Sequence, residues 1–342
     1  MSELLRDQQA QRAPSQNFLS PTVEETAVVR ARIEDLNQNL VRQHITTTIE
    51  RRGYQGSTDE ILYLQDHGCI VPTEHAFTPT IVGMLMFTTE PERWLAMAGV
   101  DIVQFSGDRP HPDKIVFSQQ VRGDLVDVIN RTVEALWVRS EHRYWLVGSE
   151  RREAHAYARP VLRELTVNAL CHRDWSISGS LVRIQMFPDS IEWVTPGGLP
   201  DRIDIRNLRT AQQTRNPKLA RLLYNAGLVE RFGMGIDLVL DTLEAMGCRE
   251  PDLNDDGFAF SFRVWGKELD TESARAPLDL SPRQQRVLEI IRMRGASTSA
   301  DIADAMNEAR RNIQRDLHVL MSEGLLTVEG ATTKARYRLR AP

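Results

Sequence analysis

The segment RPVLRELTVNALCHRD, from Arg159 to Asp174, predicts a helix around which the neighbouring elements are arranged. Pro160 suits the first helical turn, where its missing N–H costs nothing. Glu164 and Asn168, four positions apart, lie on one face of this helix. A carboxylate and an amide in this arrangement can share one small ligand, although an ordinary surface Glu–Asn pair has the same spacing. The predicted buried side consists of Leu162, Leu165, Val167, Ala169 and Leu170.

The residues that follow this helix have the order of elements expected for a nucleotide pocket. Residues 181–200, LVRIQMFPDSIEWVTPGGLP, predict two strands joined by a turn and closed by a glycine loop. Pro217 to Tyr224 predicts a short helix, and Gly233-Met234-Gly235 directly precedes a long helix of apolar periodicity. Glycines before a helix let the backbone approach an anion, and the first-turn N–H groups favour phosphate there.

Five motifs in this order resemble one known family. Residues from about Thr78 to Arg263 are similar to RecG-like ATP-binding proteins, which often follow an AlbA-type (Schlafen-related) DNA-binding domain. That family resembles the GHKL ATPases, the superfamily of gyrase, histidine kinases and MutL. The motifs are TPTIVGMLMF at Thr78 to Phe87, RELTVNALCHRDW at Arg163 to Trp175, PGGLP at Pro196 to Pro200, RNPKLARLL at Arg215 to Leu223, and GLVERFGMGI at Gly227 to Ile236.

The resemblance implies the fold of the core, the C-terminal pattern described below predicts a second domain, and a missing motif argues against a motor. The expected fold is α+β, with a GHKL-like (Bergerat-type) α/β sandwich as its core and a C-terminal winged helix domain. A helicase motor is not indicated, because the chain has no GxxxxGK[ST] phosphate loop.

The resemblance also implies roles for individual residues. Asn168 is the implied Mg²⁺ ligand in an ATP site, and Glu164 is the implied general base that orients or deprotonates a water. Arg215 either reaches a terminal phosphate or forms an ion pair with Glu230, and both alternatives stay open. The implied glycine boxes around the phosphates are Gly197 and Gly198, then Gly233 and Gly235. The aspartate that contacts adenine in the wider superfamily has no counterpart, since Val194, Thr195 and Pro196 stand there.

The run His172-Arg173-Asp174 at the end of the predicted helix has two interpretations. These residues can pair with phosphate or with each other, or they can cap the helix and brace the loop that follows. The run is not the catalytic loop of a protein kinase, because no downstream Asn or DFG motif accompanies it.

Composition sets the broad class of the protein. A chain of 342 residues with 41% hydrophobic and 26% charged residues is typical of a globular protein with two or three domains. No apolar run approaches about 20 residues and no signal or lipidation motif is present, so we expect no membrane association. Cys69, Cys171 and Cys248 lie far apart without a CxxC motif, which favours a reducing cytoplasm over a disulfide or a zinc site.

Five regions are predicted along the chain. Residues 1–52 form a helical arm that is partly disordered, and residues 53–149 form an α/β scaffold segment that precedes the core. The ATP-binding core spans 150–266, a polar linker spans 267–280, and a winged helix-turn-helix spans 281–342. Since an AlbA-like domain does not fit before the core, we expect either that it has been lost or that a separate protein replaces it.

The C-terminal region has the order of a winged helix-turn-helix. SPRQQRVLEIIRMRG, SADIADAMN and EARRNIQRDLHVLMSEG predict three helices, and GLLTVEG and ARYRLR predict two strands around a wing. The third helix directs Ile313, Leu317 and Leu320 inward. The residues predicted to contact duplex DNA are Arg310, Arg311, Gln314, Arg315 and Lys334.

Charge favours nucleic acid at this end of the chain. Residues 281–342 carry 11 Lys and Arg against 7 Asp and Glu, or +4, whereas the whole chain carries −5. A basic module on an acidic body suggests binding to double-stranded DNA. A winged helix that contacts protein is the alternative.

Together these features predict a cytoplasmic, dimeric regulator that binds ATP and Mg²⁺ and contacts duplex DNA. Two other functions stay open. One is an ATPase that works in a nucleic-acid or defence complex, and the other is a scaffold whose nucleotide pocket has decayed.

Overall fold

The computed structural model describes residues 22–73, 76–147, 150–200, 203–209, 213–229, 235–269, 280–322, 325–329 and 335–339. The chain divides into two compact units, one formed by residues 1–142 with 155–268 and the other by 143–154 with 269–342. Lys334 and Gly233, both predicted site residues, lie outside the described residues, as does Glu230.

The helices and strands have the following bounds in chain order. The helices are α1 Gln38–Arg52, α2 Glu60–Asp66, α3 Ile81–Phe87, α4 Leu125–Arg139, α5 Arg159–Cys171, α6 Pro217–Asn225, α7 Gly235–Met246, α8 Pro282–Arg294, α9 Ser299–Met306 and α10 Arg310–Ser322. The strands are β1 Ile70–Pro72, β2 Phe77–Pro79, β3 Val100–Phe105, β4 Ile115–Val121, β5 His142–Val147, β6 Glu150–His155, β7 Val182–Met186, β8 Ser190–Pro196, β9 Asp252–Asp255, β10 Ala259–Trp265, β11 Ser297–Thr298, β12 Leu326–Glu329 and β13 Arg336–Leu339.

The first unit is built on a six-stranded mixed sheet of order β4-β3-β7-β8-β10-β9 among the described strands. Strands β3 and β7 pair in parallel, and the other neighbours pair antiparallel. The segment 53–149 therefore supplies two strands to the same sheet as the predicted core 150–266. The two segments, which the sequence suggests are successive, form one layer.

One face of this sheet is apolar because side chains alternate along each strand. The register places Ile102, Ile184, Trp193 and Phe262 side by side across four strands. All four are buried, with at most 3% of each residue exposed. On the opposite face Glu192 and Arg263 form a half-buried ion pair at 2.9 Å, so that face is polar.

Helix α5 packs on the apolar face and contacts both α4 and α7. It begins with Pro160 in its first turn, as the sequence predicts. Trp193 Nε1 on β8 donates a hydrogen bond of 3.1 Å to Thr166 Oγ1 on α5, which ties the helix to the sheet. The predicted buried residues are confirmed, since Leu162, Leu165, Val167, Ala169 and Leu170 are each 5% exposed or less.

The N-terminal arm packs on α6 of the same unit. Glu24 is fully buried, and its two carboxylate oxygens accept hydrogen bonds of 2.8 Å from the backbone N–H groups of Lys218 and Leu219. His44 Nε2 contacts the carbonyl of Leu222 at 3.0 Å, and Arg52 donates to the carbonyl of Tyr224. The arm thus holds α6 at both of its ends.

In the second unit, α8, α9 and α10 surround a small apolar core, and β11, which lies between α8 and α9, joins β12 and β13 in a three-stranded sheet of order β11-β13-β12. The core includes Ile313, Leu317 and Leu320, which are fully buried as predicted. Arg283 on α8 pairs with the buried carboxylate of Asp316 on α10 at 2.5 Å. These contacts fix α10 with its opposite face exposed.

Candidate functional site

Glu164 and Asn168 are in contact on α5. Asn168 Nδ2 donates to Glu164 Oε1 at 3.2 Å, because residues four apart on a helix lie one above the other. Glu164 is 9% exposed and Asn168 is half-buried. The amide oxygen of Asn168 has no hydrogen-bond partner among the described residues, so it is available to a ligand in the adjoining cavity.

Gly235 is the first residue of α7 and lies directly against Glu164. A Cβ at position 235 would overlap the Glu164 carboxylate, so any larger residue there requires Glu164 to move. The first turn of a helix leaves N–H groups without intrahelical partners, and the helix dipole favours negative charge there. The carboxylate, the amide and this helix end therefore meet at one end of the cavity.

The first glycine loop, Gly197 and Gly198, is held on two sides. Gly197 has a φ of +95°, and a Cβ there would lie 2.5 Å from Asp174 Cβ. Leu199 N donates to Asp255 Oδ2 at 3.1 Å, which ties the loop to the β9–β10 hairpin. The loop follows a buried strand, needs a left-handed residue and lines the cavity, all of which agree with a glycine-dependent ligand contact.

Arg215 takes partners that the sequence did not predict. Its Nη1 donates to Asp174 Oδ2 at 3.0 Å and its Nη2 to the carbonyl of Gly198 at 2.5 Å. The guanidinium thus connects the end of α5 to the first glycine loop. The other predicted partner, Glu230, lies outside the described residues.

Arg173 braces the loop that follows α5, which is one of the two interpretations of the His-Arg-Asp run. Its side chain is completely buried, and it donates to the carbonyls of Asp174, Ile177 and Ser180 at 2.6 to 2.7 Å. Burial lowers the pKa of the Arg173 guanidinium to about 10. His172 supplies the C-cap of α5, so the run has a clear structural role.

The cavity beside these residues has a volume of about 240 Å³, which is slightly below the usual range for small-ligand sites (roughly 300–1,000 Å³). One wall is the stripe of α5 that carries Glu164, Asn168 and His172. The sheet supplies an apolar floor of Trp193, Phe260 and Phe262. Residues of the segment between the glycine loop and α6 close another side: Ile203, Leu208, Gln213 and Thr214.

The electrostatics of the cavity follow from burial. Desolvation, with the positive charge of Arg215 as a smaller cause, lowers the pKa of His172 to about 4. The imidazole is therefore neutral at neutral pH and can both donate and accept a hydrogen bond. Hydrogen bonds from Ser176 and the charges of Arg215 and Arg173 outweigh desolvation and lower the pKa of Asp174.

The donor set fits a triphosphate with Mg²⁺ better than a metal held by protein alone. Among the described residues no group of three or more His, Cys, Asp and Glu side chains is arranged to hold a metal ion. Mg²⁺ with nucleotides is bound through one or two protein oxygens while phosphates and water complete its shell. Asn168 Oδ1 meets that requirement, and Glu164 lies beside it.

In the second unit, the predicted DNA contacts lie on the outer face of α10. Arg310, Arg311, Gln314 and Arg315 are all exposed. Arg310 Nε also donates to Ser299 Oγ on α9 at 3.1 Å. The described members of the set thus share one exposed surface of one helix.

Sequence reasoning missed the apolar floor and the Asp174–Arg215 pair. The apolar floor could have been predicted in part from the sequence. Phe260 and Phe262 alternate with Ser261 and Arg263, as expected of a half-buried strand. No local sequence pattern predicts the Asp174–Arg215 ion pair, because the two residues are 41 positions apart.

A large mixed sheet with helices on one face and a cavity between a helix and two glycine-bearing segments is the arrangement of an α/β ATPase-like core. Residues 179–264 match a family described as "Putative ATP-dependent DNA helicase recG C-terminal". The matched segment contains Gly197, Gly198, Arg215 and Gly235, and begins after Glu164 and Asn168. This part of the chain is therefore similar to a RecG-like, ATPase-type family.

Comparison with solved structures supports the fold. The chain is similar to the DIP2311 protein from Corynebacterium diphtheriae, with a TM-score of 0.58 and 19% sequence identity over 95% of this chain. It spans 65% of the length of that protein. No curated protein matches the chain. Among the described residues, no helix combines the length and apolar character needed to cross a membrane.

Proposed function

We propose that this protein is a nucleotide-responsive DNA-binding regulator, with ATP and Mg²⁺ bound in the cavity of the first unit. The observation that carries the proposal is the convergence of Glu164, Asn168, the Gly197–Gly198 loop and Gly235 on one cavity. These residues come from three separate parts of the sequence. Their chemistry is that of a phosphate and magnesium site.

Each residue has a defined task in this proposal. The N-terminal turn of α7 contacts phosphate oxygens through backbone N–H groups, the Gly197–Gly198 loop lets its backbone approach the nucleotide along the cavity wall, and Asn168 Oδ1 holds the cation. The bound Mg²⁺ supplies neutralisation of the phosphate charge. Glu164 accepts a hydrogen bond from a water near the terminal phosphate and so acts as the candidate general base.

Isothermal titration with ATP and a non-hydrolysable analogue, with and without Mg²⁺, tests the site. We expect Mg²⁺-dependent binding that Asn168→Ala weakens by tenfold or more, on the order of one ligand interaction. The control is Asn254→Ala, an exposed amide on β9 that does not line the cavity. If Asn168→Ala bound ATP with unchanged Mg²⁺ dependence, the proposed site would be wrong.

The second unit supports the DNA-binding part of the proposal. Its three helices and small sheet follow the order of a winged helix-turn-helix, and α10 has the place of the recognition helix. The exposed Arg310, Arg311, Gln314 and Arg315 are suited to a major groove, with Lys334 in the expected wing. As part of the same proposal, the protein acts as a homodimer that presents two such helices.

The salt dependence of DNA affinity tests this assignment. Replacing Arg310, Arg311 and Arg315 together by Ala removes three cations, so affinity should fall. The slope of log K against log salt should become less steep by about 0.9 for each phosphate that the protein no longer neutralises. Arg292→Ala and Arg294→Ala, on the exposed end of α8, provide a charge-matched control for two of the replacements. An unchanged slope would favour a winged helix that contacts protein.

Coupling between the two activities requires that nucleotide binds two states of the protein with different affinity. We propose that the bound nucleotide changes the arrangement of the segment from Thr210 to Gly235, which includes α6, and thereby alters DNA affinity. Comparing DNA affinity with and without ATP tests the coupling. Equal affinities in both conditions would leave nucleotide binding and DNA binding independent.

One observation favours each of the two alternative functions. The Glu164 carboxylate beside Asn168 favours a true ATPase, for which Glu164→Gln should abolish turnover while binding is retained. The absence of an acidic residue at Val194–Pro196 favours a scaffold with a decayed pocket. In that case Glu164 serves to stabilise the N-terminus of α7, and its replacement should lower stability in a protein that binds no nucleotide.

A further inference from the structure

The cavity has two ends of different character. Glu164 lies against the N-terminal residue of α7, where phosphate is favoured. His172, the C-cap of α5, lies eight residues after Glu164, which at 1.5 Å per residue is about 12 Å away along the helix axis. The row Glu164, Asn168, His172 lines the cavity along its length. A nucleotide with its phosphates at α7 therefore directs its base toward His172.

Thr195 is the second polar group at the His172 end. It is only 5% exposed, it lines the cavity, and its hydroxyl has no hydrogen-bond partner among the described residues. Strand alternation places it on the same face as Trp193, and its register partner on β10 is Phe260. The hydroxyl is accessible from the cavity, where a ligand or water can satisfy it.

The backbone brings His172 and Thr195 to the same end of the cavity. Asp174 N donates to the carbonyl of Pro196 at 2.9 Å, so the chain after His172 runs beside the chain after Thr195. The imidazole of His172 has no hydrogen-bond partner among the described residues either. The His172 imidazole and the Thr195 hydroxyl therefore lie at one end of the cavity, beside its apolar floor.

Two carboxylates of the neighbouring segments, Asp174 and Asp255, are occupied by protein partners. Asp174 pairs with Arg215 and accepts from Ser176, and Asp255 accepts from the backbone N–H groups of Leu199 and Gly257. Neither of these two carboxylates is available to replace the superfamily's adenine-contacting aspartate. The polar edge of a base at this end would meet a hydroxyl and an imidazole instead.

We propose that His172 and Thr195 bind the polar edge of a purine base, and that the site accepts adenine and guanine nucleotides alike. This inference rests on the proposed nucleotide site. A hydroxyl and a neutral imidazole each donate or accept, so they can pair with the amino group of adenine or with the carbonyl oxygen of guanine. A carboxylate only accepts and would favour adenine. The floor of Trp193, Phe260 and Phe262 suits the flat face of a two-ring base.

Isothermal titration of the full chain with ATP, GTP and CTP, each with Mg²⁺, tests this inference. We expect ATP and GTP to bind within about tenfold of each other and CTP to bind more weakly, because its smaller base covers less of the floor. Thr195→Val and His172→Leu should each weaken ATP and GTP binding by about tenfold. His172→Gln, which keeps a donor and an acceptor, should restore most of the affinity.

Magnesium tripolyphosphate separates this inference from the proposed function. It lacks a base, so its affinity should be the same in wild type, Thr195→Val and His172→Leu, while Asn168→Ala weakens it. If tripolyphosphate and ATP bind but neither base-end variant alters ATP or GTP affinity, the inference is overturned and the site stands. A preference for ATP over GTP of more than about tenfold overturns it as well. If wild type binds no triphosphate, the proposed function and this inference both fail. Thermal unfolding of each variant confirms that it is folded.

Discussion

At the scale of single residues, the close contact between Gly235 and the Glu164 carboxylate limits the size of the side chain at position 235. A methyl group at position 235 would overlap the carboxylate, so Gly235→Ala must displace Glu164 or the start of α7. We expect a loss of about 1–3 kcal/mol of stability, measured by urea unfolding. We also expect weaker nucleotide binding.

Two controls identify the cause of this loss. Gly179→Ala places a methyl group in open space and should change stability by less than about 0.5 kcal/mol. In a double-mutant cycle, adding Glu164→Ala to Gly235→Ala should recover part of the loss, because the overlapping carboxylate is gone. If the stability losses of the two single variants simply added in the double variant, the proposed overlap between residue 235 and Glu164 would be wrong.

Arg173 offers a second prediction at the residue scale. It is completely buried and satisfies three carbonyl groups of the loop that follows α5. Arg173→Met leaves these acceptors without their donor and should lower the free energy of unfolding by about 3 kcal/mol or more. The matched Arg206→Met, at a guanidinium that is 90% exposed, should have little effect. Equal effects would show that Arg173 does not brace the loop.

At the scale of elements, α6 depends on a residue nearly two hundred positions away. Pro217 has no N–H to donate, and the next two donors of the helix, Lys218 and Leu219, both bond to Glu24 at 2.8 Å. A buried carboxylate at a helix N-terminus also interacts favourably with the helix dipole. The N-terminal arm therefore fixes the helix that follows the segment closing the cavity.

Replacing Glu24 by Ala should destabilise the first unit by about 2–4 kcal/mol, because two buried donors lose their acceptor. Thermal unfolding measures this loss. Amide hydrogen exchange of Lys218 and Leu219 should become faster, which locates the effect at α6. Glu90→Ala, at an exposed ion pair with Arg93, is the control and should be close to neutral. Unchanged exchange at α6 would contradict the role of Glu24.

At the scale of the whole molecule, the buried His44 and His67 and the half-buried His172 predict a loss of stability in mild acid. Burial lowers the pKa of His44 and of His172 to about 4, and lowers the pKa of His67. Between pH 6.5 and 4 the unfolded chain binds protons that the folded chain does not, so stability falls as pH falls. Each of the two strongly shifted histidines contributes up to about 1.4 kcal/mol per pH unit in this range.

Urea unfolding at pH 7 and pH 5 measures this dependence. We expect the first unit to lose roughly 2–4 kcal/mol between these values. His44→Gln removes one titrating group and should make the pH dependence shallower by about half, even if stability at pH 7 is lower. Replacing the exposed His318 by Gln is the control. An unaltered slope in His44→Gln would show that His44 is not buried as a neutral side chain.

Local patterns predicted most of the helices and several strands. Helix α5 follows from its proline, its apolar spacing and the Glu–Asn pair, all of which act within a few turns. The segment Thr80 to Phe87 is a continuous apolar run without a period, so its pattern alone does not distinguish a helix from a strand. It forms α3, in which every residue is buried. Strand β4 gave a weak signal, since it is an edge strand whose residues are mostly exposed.

The sequence by itself determined the composition of the candidate site: the Glu164–Asn168 pair, the two glycine segments and the basic face of α10. These are properties of side chains at short spacing, and short spacing sets the geometry within one helix or loop. The tertiary structure alone decided the order of the sheet, the Asp174–Arg215 pair, the hold of Glu24 on α6 and the meeting of His172 with Thr195. Those contacts join residues that are far apart in sequence, and burial of the shared apolar face, which no local pattern encodes, brings them together.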